Sequence, residues 1–173
     1  MTADVPEKFG RAFDAHEAFE RDGEAFVVTT STFGGRVTAA ETEDWALAYT
    51  LEVQVPMLSA TTEEAVGPAV EEGWFDTFAL RLEDAPGAVR QDLELDDLSV
   101  DRVADEAVAT FSFEWGNADH VPGMTKAISE YVEGTYVEGI VPGYQYGPPV
   151  SELLSSARSS GGDGDGGGDP MPL

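Results

Sequence analysis

The 173-residue chain contains no cysteine, which excludes disulfides, thiolate nucleophiles and cysteine-based zinc sites. It has two histidines, so any imidazole base, metal ligand or pH switch must use His16 or His120. No window approaches the ~18 consecutive apolar residues of a membrane span. The opening residues MTADVPEKFGR carry no apolar run of the kind found in a secretion signal. These features predict a cytoplasmic protein without a membrane segment. Basic charge is also scarce: nine Lys and Arg stand against 34 Asp and Glu, and the lysines are Lys8 and Lys126 alone. Without a basic stripe a nucleic-acid partner is disfavoured, because phosphate contacts dominate such binding. No G-x-S-x-G, no Walker loop and no His-rich metal set occurs in the sequence, and no cofactor is implied.

What the chain does have is acid, with a formal net charge of -25. A folded chain of this size exposes roughly 8,000 Å², which spaces the carboxylates roughly 15 Å apart. At 0.1 M salt the Debye length of about 10 Å leaves much of this repulsion in place, whereas at 1 M, where it is about 3 Å, the repulsion is gone. Such a surface suits concentrated salt, and an acidic run here is first of all solvated surface.

The organising stretch is Trp45 to Val55, in which Trp45, Leu47, Tyr49, Leu51, Val53 and Val55 alternate with smaller or polar residues. That period is a strand with one apolar face. Burying six such side chains yields at best roughly 9 to 18 kcal/mol, while fixing the backbone costs on the order of 11 to 22 kcal/mol, so the strand needs neighbours on both edges and helices on its apolar face.

The partners follow in order. Asp4, Pro6 and Glu7 signal a helix start. Phe9, Ala12, Phe13, His16 and Phe19 continue a helix over roughly residues 5–22, with Asp22-Gly23 as its stop. Strands are expected over Glu24–Phe33 and Arg36–Ala40, joined by a two-residue turn at Gly34-Gly35. After Pro56, Thr61 and Glu64 form a capping box before Val66, Val70, Trp74, Phe78 and Leu82, which read as a helix. Residues 74–82 also fit strand alternation, and Gly67-Pro68 offers a restart. Strands over Leu93–Val100 and Ala107–Trp115 make a second hairpin. A helix capped by Asn117 or Asp119 carries Met124, Ala127, Ile128, Tyr131, Val132 and Thr135 and ends near Gly139 or Pro142. The fold class is therefore α+β, a five-stranded antiparallel sheet with three helices in the order αβββαββα, plus a short C-terminal helix from Pro149. Residues 1–158 form one domain, and 159–173 a dispensable, disordered Gly/Asp-rich tail. The Gly162, Gly164, Gly167 match in that tail has no strand before it and no helix after it, and Asp163, Asp165 and Asp169 do not complete a calcium loop.

Candidate site residues are Glu114, Trp115 and His120 at a strand-to-helix junction, and Tyr136, Tyr144 and Tyr146 on a Gly/Pro-rich segment, where tyrosine supplies flat surface and a hydroxyl. The blander roles are a helix cap for His120 and an edge seal for the tyrosines. His16, on the Phe9 and Phe13 face, reads as a core-edge histidine. The segments GWFDTF, FEWGNAD and YVEGTYVEGIVPGY resemble a family of small uncharacterised proteins of haloarchaea, a resemblance that implies no activity. The element order alone is similar to the type III secretion chaperone-like fold, whose members are acidic, often dimeric and bind other proteins. Two functions follow: a non-enzymatic interaction or regulatory module that binds another protein or itself, or a small-ligand-binding protein or enzyme with its pocket near His120 and Tyr136–Tyr146.

Overall fold

The computed structural model describes residues 5–158. The expectations for Asp4 and for the tail from Ser159 lie outside the described residues.

Six antiparallel strands form one sheet in the order β1-β2-β3-β4-β6-β5: β1 Phe19–Asp22, β2 Ala25–Val28, β3 Arg36–Glu41, β4 Leu47–Pro56, β5 Asp97–Val103 and β6 Glu106–Trp115. The helices are α1 Glu7–Asp14, α2 Leu58–Thr61, α3 Pro68–Leu82 and α4 Val121–Glu138, with α5 over residues 150–158. The fold is thus α+β around an antiparallel sheet, but with six strands and five helices among the described residues, in the order αββββααββαα. The element order behind the likeness to the chaperone-like fold is not the observed one.

Each difference has a local cause. The expected first helix splits after Asp14, and Phe19, which fits both periods, opens β1 with its ring 4.7 Å from that of Phe13. Asp22 pairs with Ala25, so Gly23-Glu24 is a hairpin turn with Gly23 at φ +64°, a left-handed conformation that glycine adopts without steric cost. His16 sits in the intervening turn and accepts the Ala18 N–H at Nδ1. The strand expected to run to Phe33 stops at Val28: Thr29 still gives its N–H and its hydroxyl to the Ala18 carbonyl in the β1-β2 register, but the Ala18 N–H goes to His16 Nδ1 and the pairing ends there. The connection to β3 is therefore the loop 29–35 and not a tight turn at Gly34-Gly35. Phe33 anchors that loop on α4, with its ring 5.0 Å from Tyr136 and its N–H donated to the Glu133 carboxylate. Burial raises the Glu133 carboxyl above its ordinary range against the pull of that N–H.

Thr61 ends α2 and opens no capping box; Gly67 caps α3 and Pro68 takes the first-turn place. Residues 74–82 are helical, with Trp74, Phe78 and Leu82 facing inward. β5 lies three to four residues later than expected, since Leu93 is buried before the strand starts at Asp97.

On β4, Leu47, Tyr49, Leu51, Val53 and Val55 are buried, and the matching face of β6 presents Ala107, Ala109, Phe111 and Phe113. Helix α1 brings Phe9 and Phe13 onto this face, and α4 brings Met124, Ile128 and Val132. The opposite face, with Thr50, Glu52, Thr110 and Ser112 on the central strands, is only partly covered. Trp45 is the exception to the expected alternation: it precedes β4, in a turn where the Thr42 hydroxyl donates to the Ala46 carbonyl, and is 71% exposed.

Candidate functional site

Helix α4 separates the residues that lie close in sequence. Its 18 residues span about 26 Å, with His120 at the start and Tyr144 and Tyr146 beyond the end. β4 fixes the same polarity: Leu47 pairs with Trp115 at one end of the sheet, and the Pro56 carbonyl at the other accepts the Tyr136 hydroxyl at 3.0 Å. The structure therefore brings Trp115 together with His120, and Tyr144 with Tyr146, but not the first pair with the second.

At the first end the Trp115 indole N–H donates to His120 Nδ1 at 3.1 Å. An indole N–H only donates, so Nδ1 accepts and the neutral ring keeps its proton on Nε2. The Asn117 amide nitrogen, 3.3 Å from Nε2, is then a contact and not a second hydrogen bond, while Asn117 Oδ1 accepts the Asp119 N–H and caps the 3-10 turn Ala118–His120. Glu114 points to the other face of β6, beside Ala48, and is exposed. The residue that completes this end is Trp45. Its indole lies across Gly116, occupying the space that any side chain there would take: a Cβ would meet the ring at 1.9 Å. Lys8 Nζ donates to the Trp45 carbonyl at 3.0 Å and ties this loop to α1. Its period alone puts Trp45 in the core, and the signal against that is the turn chemistry of Thr42–Asp44 just before it.

At the second end Tyr136 is fully buried against Trp74, Phe33 and Phe78 and presents nothing to a ligand; it is a core residue. Burial drives its hydroxyl pKa up, as it does more weakly for Tyr146. Tyr144 and Tyr146 instead line a cavity of about 620 Å³ with Ile140, Val141, Leu154 and Arg158. Its wall is held from outside: Glu63 N–H donates to Gln145 O, Gly147 N–H to Thr61 O, and Gln145 N–H to the Glu64 carboxylate, while the Tyr146 hydroxyl donates to Val141 O.

A further cleft of about 550 Å³ contains Glu71, which sequence reasoning missed. Glu71 is 7% exposed, accepts the Ser59 N–H at 2.7 Å and pairs with Arg102 at 3.4 Å. Its signal was position, since 71, 74, 78 and 82 form one helical stripe. Both carboxylate oxygens are engaged in joining α3 to α2 and β5, which is a structural task. Among the described residues no group of three or more His, Cys, Asp or Glu is arranged to hold a metal ion, and no helix is long and apolar enough to cross a membrane.

A family model matches residues 14–156, from the end of α1 into α5. The chain belongs to the family of unknown function DUF5813. No curated protein and no solved structure matches it. Membership in DUF5813 brings no activity with it, so the geometry alone carries the functional argument.

Proposed function

We propose that this DUF5813 protein is a non-enzymatic interaction module of a salt-rich cytoplasm, and that its partner docks on the Trp45, Trp115 and His120 end of the sheet. The observation that carries the proposal is Trp45, 71% exposed yet seated on a glycine that leaves room for its ring. Exposed tryptophan in a formed seat is the usual anchor of a protein interface. Charge identifies the partner's chemistry. Glu43 and Asp44 precede Trp45, Glu114 precedes Trp115 and Asp119 precedes His120, and all four are exposed, so the segment that fits is one carrying arginine or lysine beside an apolar residue. Its cation lies over the indole face. A second copy of the chain would set these carboxylates against themselves, which disfavours a homodimer through this edge. The same acidity supports the absence of a nucleic-acid partner.

The test is binding of a short Arg/Leu peptide, followed by tryptophan fluorescence at 0.3 M and 2 M KCl with the charge preference read at the lower salt, against the same peptide with Glu for Arg. The Arg peptide is expected to bind, to lose at least about tenfold on Trp45→Ala, a loss on the scale of a hot spot, and to weaken on Gly116→Ala, which displaces the ring without removing it. Leu80→Ala, at another exposed apolar residue (64%), should leave binding unchanged. Equal loss in the Trp45 and Leu80 variants, or equal binding of the Glu peptide, would refute the site. Light scattering that shows a dimer dissolved by Trp45→Ala would replace the foreign partner with a second copy.

A further inference from the structure

The cavity between the end of α4, the 140–146 segment and α5 differs from the rest of the surface in its charge. Nearly one residue in five of this chain is Asp or Glu (34 of 173), and three other clefts each carry at least two carboxylates: Glu71, Glu72 and Asp76 in one, Asp76 and Glu83 in the next, Glu7 and Glu41 in the third. The 620 Å³ cavity has none among its described lining residues. Its full charge is the Arg158 guanidinium, set at the end of α5 against a lining of aliphatic side chains and two tyrosine rings. We propose that this cavity is a binding site for a small amphiphile, an apolar chain or ring system bearing one carboxylate or comparable anionic group, with the apolar body against Ile140, Val141 and Leu154 and the anion at Arg158.

Three features support this. The volume lies in the range of small-ligand sites, and the lining has their character, apolar with a few polar groups. The wall is preformed, because the 145–147 backbone is hydrogen-bonded to residues 61–64 and the Tyr146 hydroxyl is consumed by Val141, so a ligand meets a fixed surface and not a loop it must order. The charge among the described lining residues is positive, opposite in sign to the protein as a whole, which favours an anion there, while the nearby Glu64 carboxylate is engaged by the Gln145 N–H. The hydroxyl of Tyr144 and that of Ser151, also on the lining, are hydrogen-bond donors within the same space.

The proposal is independent of the Trp45 edge, which lies at the other end of α4, and the test separates the two. Octanoate, 1-octanol and octylamine share a chain and differ in charge. Their binding to the full chain, measured by calorimetry in 2 M KCl to screen the bulk charge, should follow the order octanoate, octanol, octylammonium. Arg158→Gln should weaken octanoate by about twofold, the scale of an exposed ion pair, and leave octanol unchanged. Arg158→Glu should reverse the order and favour octylammonium. Trp45→Ala should alter none of these. Absence of binding by all three ligands, octanoate and octylammonium binding equally to the unaltered chain, or an order that survives Arg158→Glu would each overturn the proposal.

Discussion

Replacing Tyr49 by Phe should stabilise the protein, although it removes a polar group from the middle of the organising strand. The ring is well placed: it stacks on Phe113 at 5.6 Å, meets Phe9 edge-on at 6.0 Å, and is 1% exposed. Its hydroxyl is buried without a hydrogen-bond partner, at a cost of roughly 1 to 3 kcal/mol in lost hydration. Phe keeps the ring contacts and deletes that cost, so a gain of about 1 kcal/mol is expected. With an m-value near ~2 kcal/mol/M this moves the urea midpoint up by about 0.5 M. Alkaline pH supplies a second readout. Burial pushes the Tyr49 pKa from 10.0 up to about 12, so between these values the unfolded chain has released a proton that the folded chain retains. Stability from this group is fully present below pH 10 and declines as pH rises toward 12, by about 1.4 kcal/mol at pH 11. Tyr136 and Tyr146 shift in the same direction and keep some slope in the variant, but Tyr49→Phe should lose its share of the difference between pH 9 and pH 11. The assay is urea unfolding in 2 M KCl at both pH values. A lowered midpoint together with an unchanged pH difference would refute the reasoning, since it would mean that the hydroxyl is satisfied.

Three more expectations follow from the fold. Leu51 is fully buried at the centre of β4, so Leu51→Ala should cost about 2 to 5 kcal/mol, while Thr50→Ala on the thinly covered face should cost well under half of that; equal costs in urea unfolding would contradict a one-sided sheet. Ala104 holds φ +56° in the β5-β6 turn, where an L-residue pays roughly 1 to 2 kcal/mol, so Ala104→Gly should gain about 0.5 kcal/mol after the extra entropy of unfolded glycine, and a loss of stability would show the turn unstrained. The thermal midpoint should rise steeply from 0.1 M to 2 M KCl as repulsion among the acids is screened, whereas a flat midpoint would show that self-repulsion does not control stability.

The two central strands were legible because one period runs unbroken through each: residues 47–55 and 107–115 alternate without a competing pattern, and both faces fall where the alternation puts them. The first twenty-odd residues were not, because Phe9, Phe13 and Phe19 satisfy a helical spacing that the chain abandons after Asp14. The Asp22-Gly23 pair is as good a hairpin signal as a helix stop, and only the pairing of Phe19 with Val28 chooses between them. The β-branched run at 29–32 reads as strand by propensity, yet the pairing partner of its first residue, Ala18, turns away to His16 and the following Phe33 is held by α4, a contact remote in sequence. For the candidate site the needed signal was in the sequence. His120 and Tyr136 are 16 positions apart on the helix that the spacing of Met124, Ile128, Val132 and Thr135 predicts, and α4 bears that helix out, so a rise of about 24 Å already argues against one pocket holding both.

In an acidic chain the informative positions are those where acid is missing or an apolar group is left uncovered. Carboxylates cover the exposed faces of α3, β5 and the clefts beside them, and each is accounted for by solvation and by repulsion that concentrated salt relieves. Such an account makes no demand on where the carboxylates fall, so it leaves unexplained a cavity with none of them among its described lining residues and a tryptophan at 71% exposure with a glycine beneath it. Both departures oppose the acidic trend of the surface, and both sit on backbone that is tied down, by Lys8 and Thr42 at one end and by the 61–64 segment at the other. A feature that departs from that trend and is nonetheless tied in place is best explained by a contact it makes when occupied. The two proposed sites differ in the sign of the charge around them, and the proposals accordingly assign them opposite chemistries: a cationic segment at Trp45 and an anionic amphiphile at Arg158.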